Sequence, residues 1–126
     1  MRNLQISRIH LILLLLLAAV IGCNKTSSIP EPLTIEQFPS AFEKAFRTAK
    51  SDVKDLATEV VSAARTNGYG QAYTSLQSLS TIPTLTKEQS SVVARGMLTL
   101  NGLLQSAAAK GDENAAQAMQ AYRLQK

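Results

Sequence analysis

Apolar residues recur at alternating steps of four and three through the middle of this chain. The series is Phe42, Phe46, Ala49, Val53, Leu56, Val60 and Ala63. Such steps place the residues on one face of an α-helix, because a helix turns once every 3.6 residues. Ser40 and Glu43 form the S-x-x-E pattern of a helix start. The spacing predicts one long helix from Ser40 to about Thr66, ended by Asn67-Gly68, which tolerate the left-handed conformation.

Three shorter helical patterns follow. The second helix is predicted to begin at Tyr69, and to end before Pro83, with Ala72, Tyr73, Leu76 and Leu79 on its apolar face. A T-x-x-Q capping box from Thr86 opens the third, whose apolar residues are Val93, Met97, Leu100, Leu104 and Ala107. Lys110-Gly111 ends the third helix, and Asp112 caps the fourth, which buries Ala115, Ala116, Met119 and Tyr122. Together with a core that includes Phe38, Phe42 and Phe46, these patterns predict an all-α fold, a small four-helix bundle over residues 38–126.

The helical region contains a weak repeat of 43 residues. The shift aligns Gly68 with Gly111, Ala72 with Ala115, Leu76 with Met119 and Leu79 with Tyr122. The repeated pattern predicts two antiparallel helical hairpins. Asn67-Gly68-Tyr69 with Ala72, and Gly111-Asp112 with Ala115, resemble the turn and second-helix start of tetratricopeptide-type hairpins. Because a solenoid needs about three units, a compact bundle is favoured over an open array.

The N-terminal residues have the character of an export signal. Arg2 and Arg8 precede an apolar run over residues 11–21. That run is shorter than the roughly 20 residues that cross a bilayer, whereas a basic start, a short apolar centre and a small exit residue are typical of a signal peptide. At the end of this N-terminal segment, Val20-Ile21-Gly22-Cys23 resembles the lipobox of bacterial lipoproteins.

The lipobox resemblance implies a lipid anchor. In that family the cysteine thiol takes a diacylglyceryl group, the signal is cut before it and the freed amine is usually acylated. Residues 1–22 are thus expected to be the signal peptide, cut between Gly22 and Cys23, with Cys23 the lipidated first residue. Two or three acyl chains would anchor the protein firmly, since one chain alone binds only marginally. An uncleaved N-terminal anchor, or a plain signal with a coincidental cysteine, remain the alternatives.

The same resemblance suggests where the protein resides. Asn24 stands where enteric lipoproteins often carry an inner-membrane retention Asp. The expected location is therefore the periplasmic side of the outer membrane in a host with two membranes, or the outer face of the cell membrane in a host with one. Residues 23–37 are predicted to be a flexible tether, because residues 26–32 are polar and contain two prolines.

Composition argues against several function classes. The chain has thirteen basic and nine acidic residues, and two of the basic ones, Arg2 and Arg8, leave with the signal. The nearly balanced remainder has no basic patch with interleaved aromatics, so nucleic-acid binding is not expected. His10 is the only histidine and lies in the signal, and Cys23 is the only cysteine. His- or Cys-based metal sites, Ser-His-Asp and Cys-His catalysis are therefore excluded from the mature part, and no cofactor or enzymatic activity is predicted.

Three functions remain open for the helical domain. The leading expectation is a non-enzymatic adaptor that binds another envelope protein, with Tyr69, Tyr73 and Tyr122 as candidate partner-binding residues. These tyrosines also follow the apolar spacing, which equally suits core packing with the hydroxyl at the rim. The first alternative is a small-ligand or lipid-binding module with Met97 and Met119 in a cavity between helices. The second is a structural envelope protein with no specific partner.

The lipobox generates a direct prediction. Cells that express the chain and receive a clickable fatty acid should label the protein, and Cys23→Ala should abolish the label because it removes the only thiol. The measurement is in-gel fluorescence after coupling of a dye. Label that survives in Cys23→Ala, or an unlabelled wild-type chain, contradicts lipidation at this residue.

Overall fold

The computed structural model describes residues 29–124, and over this range the chain is helical without any strand. The five helices are α1 (Gln37–Phe46), α2 (Ser51–Arg65), α3 (Tyr69–Ser80), α4 (Lys87–Ala109) and α5 (Glu113–Leu124). This confirms the all-α class. The predicted signal peptide over residues 1–22 and the lipidation site Cys23 lie outside the described residues. Within 29–124, no helix combines the length and the apolar character needed to cross a membrane.

The long first helix of the sequence prediction is in fact two helices. α1 ends at Phe46, and Lys50 adopts an extended conformation before α2 begins at Ser51. The prediction of one helix from Ser40 to about Thr66 was therefore wrong. The predicted total of four helices was wrong for the same reason. The break lets the chain fold back, so that α1 packs against both α2 and α4. A single straight rod could not bring the phenylalanines of α1 into a shared core with the apolar face of α2.

The start of α1 also differs from the prediction. Ser40 lies inside the helix, where its hydroxyl donates to the carbonyl oxygen of Gln37 at 3.1 Å. The capping box of α1 is formed by Thr34, three residues before the helix begins, together with Gln37, the first residue of the helix. The Gln37 amide donates to Thr34 Oγ1, and the Thr34 amide donates to Gln37 Oε1, both at 3.2 Å. Thr34 and Gln37 thus repeat the T-x-x-Q pattern that was recognised at Thr86, where the capping box is confirmed.

The predicted helix ends at the two turns are confirmed. Asn67 takes the left-handed conformation with φ 59°, and Gly111 does the same with φ 92°. In the first turn the Gly68 amide donates to the Ala63 carbonyl at 2.8 Å, and in the second the Asp112 amide donates to the Ala107 carbonyl at 3.1 Å. Both are Schellman-type ends, which satisfy carbonyls that the helix leaves free. The Ala115 amide then donates to Asp112 Oδ1 at 3.1 Å, so the predicted Asp112 cap of α5 is confirmed.

The centre of the core is a ladder of phenylalanines on α1. The ring centroids of Phe38 and Phe42 lie 4.6 Å apart, and those of Phe42 and Phe46 lie 5.8 Å apart, with nearly parallel planes. All three side chains are at most 2% exposed, which confirms their prediction as core. Opposite them, α4 presents the buried Gly96, which has no side chain to hold the two helices apart. The helices therefore approach closely at Gly96 and Phe42.

Part of the predicted tether belongs to the folded domain. Residues 31–36, here termed the N-terminal strap, lie along α4. The Arg95 Nε donates to the Glu31 carbonyl at 2.8 Å, and the Thr99 hydroxyl donates to the Leu33 carbonyl at 2.7 Å. Leu33 is 5% exposed and joins the core. The packed region therefore begins at Leu33 and not at residue 38, because one leucine and two helix side chains suffice to hold the extended segment.

The contact at Gly96 predicts an asymmetric effect of two glycine substitutions in α4. A Cβ atom at residue 96 would lie 2.9 Å from Cζ of Phe42, so Gly96→Ala should lower the free energy of unfolding by about 1–3 kcal/mol. Gly102 faces open space in the same helix. Gly102→Ala is the matched control and should raise that free energy by about 0.5–1 kcal/mol, since alanine favours the helix.

Denaturant unfolding followed by circular dichroism measures both variants. The same change in unfolding free energy for Gly96→Ala and Gly102→Ala would show that α4 does not approach Phe42 as closely as described.

Candidate functional site

A groove runs between α1 and α2 on the outside of the domain. Its volume is about 530 Å³, and side chains from both helices line it. This α1–α2 groove exists because the chain reverses at residues 47–50 and the two helices then lie side by side. Its floor, its α2 wall and its charged rim differ in character.

The floor of the groove is apolar and narrow. It consists of Phe42 and Phe46 from α1 and of Ala57 and Val61 from α2. Each of these residues is at most 5% exposed, so most of their surface already packs against the core. The floor therefore offers a thin apolar strip rather than a broad patch.

The α2 wall carries small hydroxyl residues at four-residue spacing. Thr58, Ser62 and Thr66 line the groove along one side of the helix. The Thr58 hydroxyl donates to the Lys54 carbonyl at 2.9 Å, and the Thr66 hydroxyl donates to the Ala63 carbonyl at 3.1 Å. Because these two hydroxyls bond to their own helix, the wall makes little polar demand on a ligand, and its short side chains leave the groove open.

The rim of the groove carries more positive than negative charge. Glu43 and Arg65 form an ion pair across it at 3.1 Å, with side chains that are 65% and 60% exposed. Arg47 and Lys54 also line the groove and take part in no ion pair with any residue of the described range. Both lie beside the turn that joins the helices. Glu43 precedes Arg47 by one helical turn on α1, and Arg65 lies at the far end of α2. The rim thus carries three basic groups and one acidic group.

The structure brings two of the three predicted partner-binding tyrosines together, the buried Tyr73 and the half-buried Tyr122. Tyr73 is 7% exposed, and its ring meets that of Tyr122 edge to face, with centroids 5.3 Å apart. Tyr69 is separate and half-buried, and its hydroxyl donates to Asn67 Oδ1 at 2.8 Å. Burial raises the pKa of Tyr73, and its hydrogen bond with Tyr122 adds to the rise. Tyr73 therefore packs in the core and does not offer a partner-binding surface.

Met119, one of the two methionines proposed for a ligand cavity, lines a depression of about 270 Å³ between α4 and α5, together with Ala108 and Arg123. Met97 does not line this depression. Nor do any three or more His, Cys, Asp or Glu side chains of residues 29–124 come together as a possible metal site.

Sequence reasoning missed the α1–α2 groove. If residues 40–66 formed one helix, Arg47 and Lys54 would lie two turns apart on its surface and could not line a groove between two helices. The weak local signal was the T-x-x-Q cap at Thr34 and Gln37, which starts a helix early enough for a complete α1 before residue 47. The small residues at 58, 62 and 66 give the groove its room, but this spacing is also common on solvated helix faces.

No protein-family model, no curated protein and no solved structure matches this chain.

The buried Tyr73 predicts how stability depends on alkaline pH. Its folded pKa is raised, whereas an unfolded tyrosine ionises near pH 10, so the unfolded chain loses this proton first. The contribution to stability is present below about pH 10 and falls as the pH rises further, by at most about 1.4 kcal/mol per pH unit for one proton. Tyr73→Phe keeps the ring and removes this proton, so its unfolding free energy should decline less steeply.

The measurement is denaturant unfolding at a series of pH values below and above about pH 10, where an unfolded tyrosine ionises. Parallel pH dependences for wild type and Tyr73→Phe would contradict a raised folded pKa at this residue.

Proposed function

We propose that this chain is a lipid-anchored, non-enzymatic protein of the cell envelope that binds a small ligand in the α1–α2 groove. Residues 1–22 serve as the signal peptide, and Cys23 carries the lipid. The protein faces the periplasm from the outer membrane of a host with two membranes, or lies on the outer face of a single membrane. α2 with α3, and α4 with α5, form its two hairpins, a proposal supported by the packing of α2 on α3 and of α4 on α5.

The observation that carries the ligand-binding proposal is the groove itself. Its volume of about 530 Å³ falls within the range of small-molecule sites in proteins, which is about 300–1,000 Å³. Such sites combine an apolar lining with a few polar groups that orient the ligand. The floor around Phe42 and Val61 supplies the apolar lining. Arg47 and Lys54, which have no ion-pair partner among residues 29–124, supply the polar groups.

The adaptor role is the second candidate, and exposed apolar side chains support it. Ile35 of the N-terminal strap is 41% exposed, and Leu98 of α4 is 40% exposed. Large apolar side chains at a surface can anchor a partner protein. Of the predicted tyrosines, Tyr73 contributes little to this candidate because it is in the core, whereas Tyr69 and Tyr122 are half-buried and stay candidates. A structural envelope protein without a specific partner is the third.

A pair of matched variants tests the proposal. Thr58→Leu with Ser62→Leu fills the α1–α2 groove from its exposed wall. Thr74→Leu with Ser78→Leu makes the same two changes at the same spacing on the exposed face of α3, away from the groove. Each full-length protein is crosslinked in its native host and purified, and bound proteins and extractable small molecules are identified by mass spectrometry.

We expect a small molecule to co-purify with the wild type and the α3 control and to be lost, by at least about tenfold, from the groove variant, because two leucines occupy the space that the ligand needs. A protein partner retained by all three, with no small molecule in any, would favour the adaptor. Absence of both would leave the structural role and contradict binding.

A further inference from the structure

We propose that the ligand of the α1–α2 groove is a single-chain amphiphile, an unbranched acyl or alkyl chain that ends in an anionic carboxylate or phosphate head. This inference rests on the proposed function, since it names the chemical class that the same groove takes.

The floor selects a thin apolar tail. The floor is lined by Phe42 and Phe46 of α1 and by Ala57 and Val61 of α2, each at most 5% exposed. A hydrocarbon chain one methylene wide can lie on such a narrow apolar floor. The hydroxyls of Thr58 and Thr66 already bond to helix carbonyls, so the wall does not require polar atoms along the tail.

The rim selects an anionic head and orients it. Arg47 and Lys54 lie beside the α1–α2 turn without an acidic partner among residues 29–124, so a carboxylate or phosphate placed there gains two cations. Arg65, at the far end of α2, is already paired with Glu43. The head therefore lies at the turn, and the tail extends along α2 towards Arg65.

A partner helix fits this groove less well than a single chain does. A helix is about 10 Å across and binds by placing several large side chains into pockets. The groove volume of about 530 Å³ instead lies in the range of small-molecule sites. None of the exposed large apolar side chains of residues 29–124 lines the groove; they are Ile29, Ile35, Leu98 and Leu124.

Photocrosslinking tests the assignment on the full chain. Isolated membranes from expressing cells are incubated with a diazirine-bearing fatty acid and irradiated, and the labelled residues are mapped by proteolysis and mass spectrometry. Isolated membranes are used so that the probe is not built into the anchor by metabolism. Competitors are laurate, dodecyl phosphate and neutral monolaurin, which share a twelve-carbon chain and differ in the head.

Two charge-matched double variants separate the groove cations from net charge. Arg47→Gln with Lys54→Gln neutralises the cations at the turn. Lys44→Gln with Lys87→Gln removes the same net charge at exposed positions that do not line the groove. Exposed ion pairs are individually weak, so we expect labelling affinity to fall about fivefold to tenfold in the first variant and to stay unchanged in the second.

We expect label between residues 42 and 66, displaced by laurate, by dodecyl phosphate or by both, but only weakly by monolaurin. Displacement by only one of the two anions identifies the head as carboxylate or phosphate and supports the proposal. Equal displacement by monolaurin, or full labelling of the Arg47→Gln/Lys54→Gln variant, overturns the anionic head and leaves binding in the groove intact. Label outside residues 42–66, or label that persists when Thr58→Leu and Ser62→Leu fill the groove, overturns the groove as a ligand site as well.

Discussion

The stacked rings of Phe38, Phe42 and Phe46 are the interaction on which the rest of this domain depends. Full burial of a phenylalanine contributes about 1.5–3 kcal/mol, and a well-placed aromatic pair adds about 0.5–1.5 kcal/mol. A helix of ten residues has little stability of its own, so α1 forms because these rings pack. They need neighbours on both sides, which α2 and α4 provide. On α4, Gly96 leaves room for the Phe42 ring, because a Cβ atom at residue 96 would collide with it.

The same constraint explains where sequence reasoning succeeded and where it failed. The ends of α3, α4 and α5 follow from short-range chemistry, such as the Thr86 capping box and the left-handed Asn67 and Gly111, and these were predictable. Residues 47–50, where the helix breaks after Phe46, contain no glycine or proline that would predict the break. It arises because burial of the phenylalanine ladder between two other helices outweighs the continuation of one helix. Tertiary packing of this kind overrides local propensity and leaves no local signal.

The burial pattern of α2 reflects the break between α1 and α2. The predicted stripe included Ala49 and Leu56, which are only half-buried. Val53, Val60 and Ala63 of that stripe are buried as predicted, and Ala57, Val61 and Ala64 are buried beside them. This wider face meets α1 as well as α3, and it places Ala57 and Val61 at the bottom of the α1–α2 groove. Since the groove is a product of the chain reversal, none of its residues could be assigned to a site from spacing alone.

The N-terminal strap bears on how such a groove would meet its ligand. With Leu33 fixed to α4 through Thr99, at most ten residues separate the folded domain from the proposed anchor at Cys23. A fully extended chain of that length spans at most about 35 Å, which is comparable to the thickness of one bilayer core. A domain anchored in this way would stay beside the membrane surface. Amphiphiles are concentrated in membranes, so a groove with an apolar floor and a cationic end would encounter its proposed ligand at high local concentration without any need for tight binding.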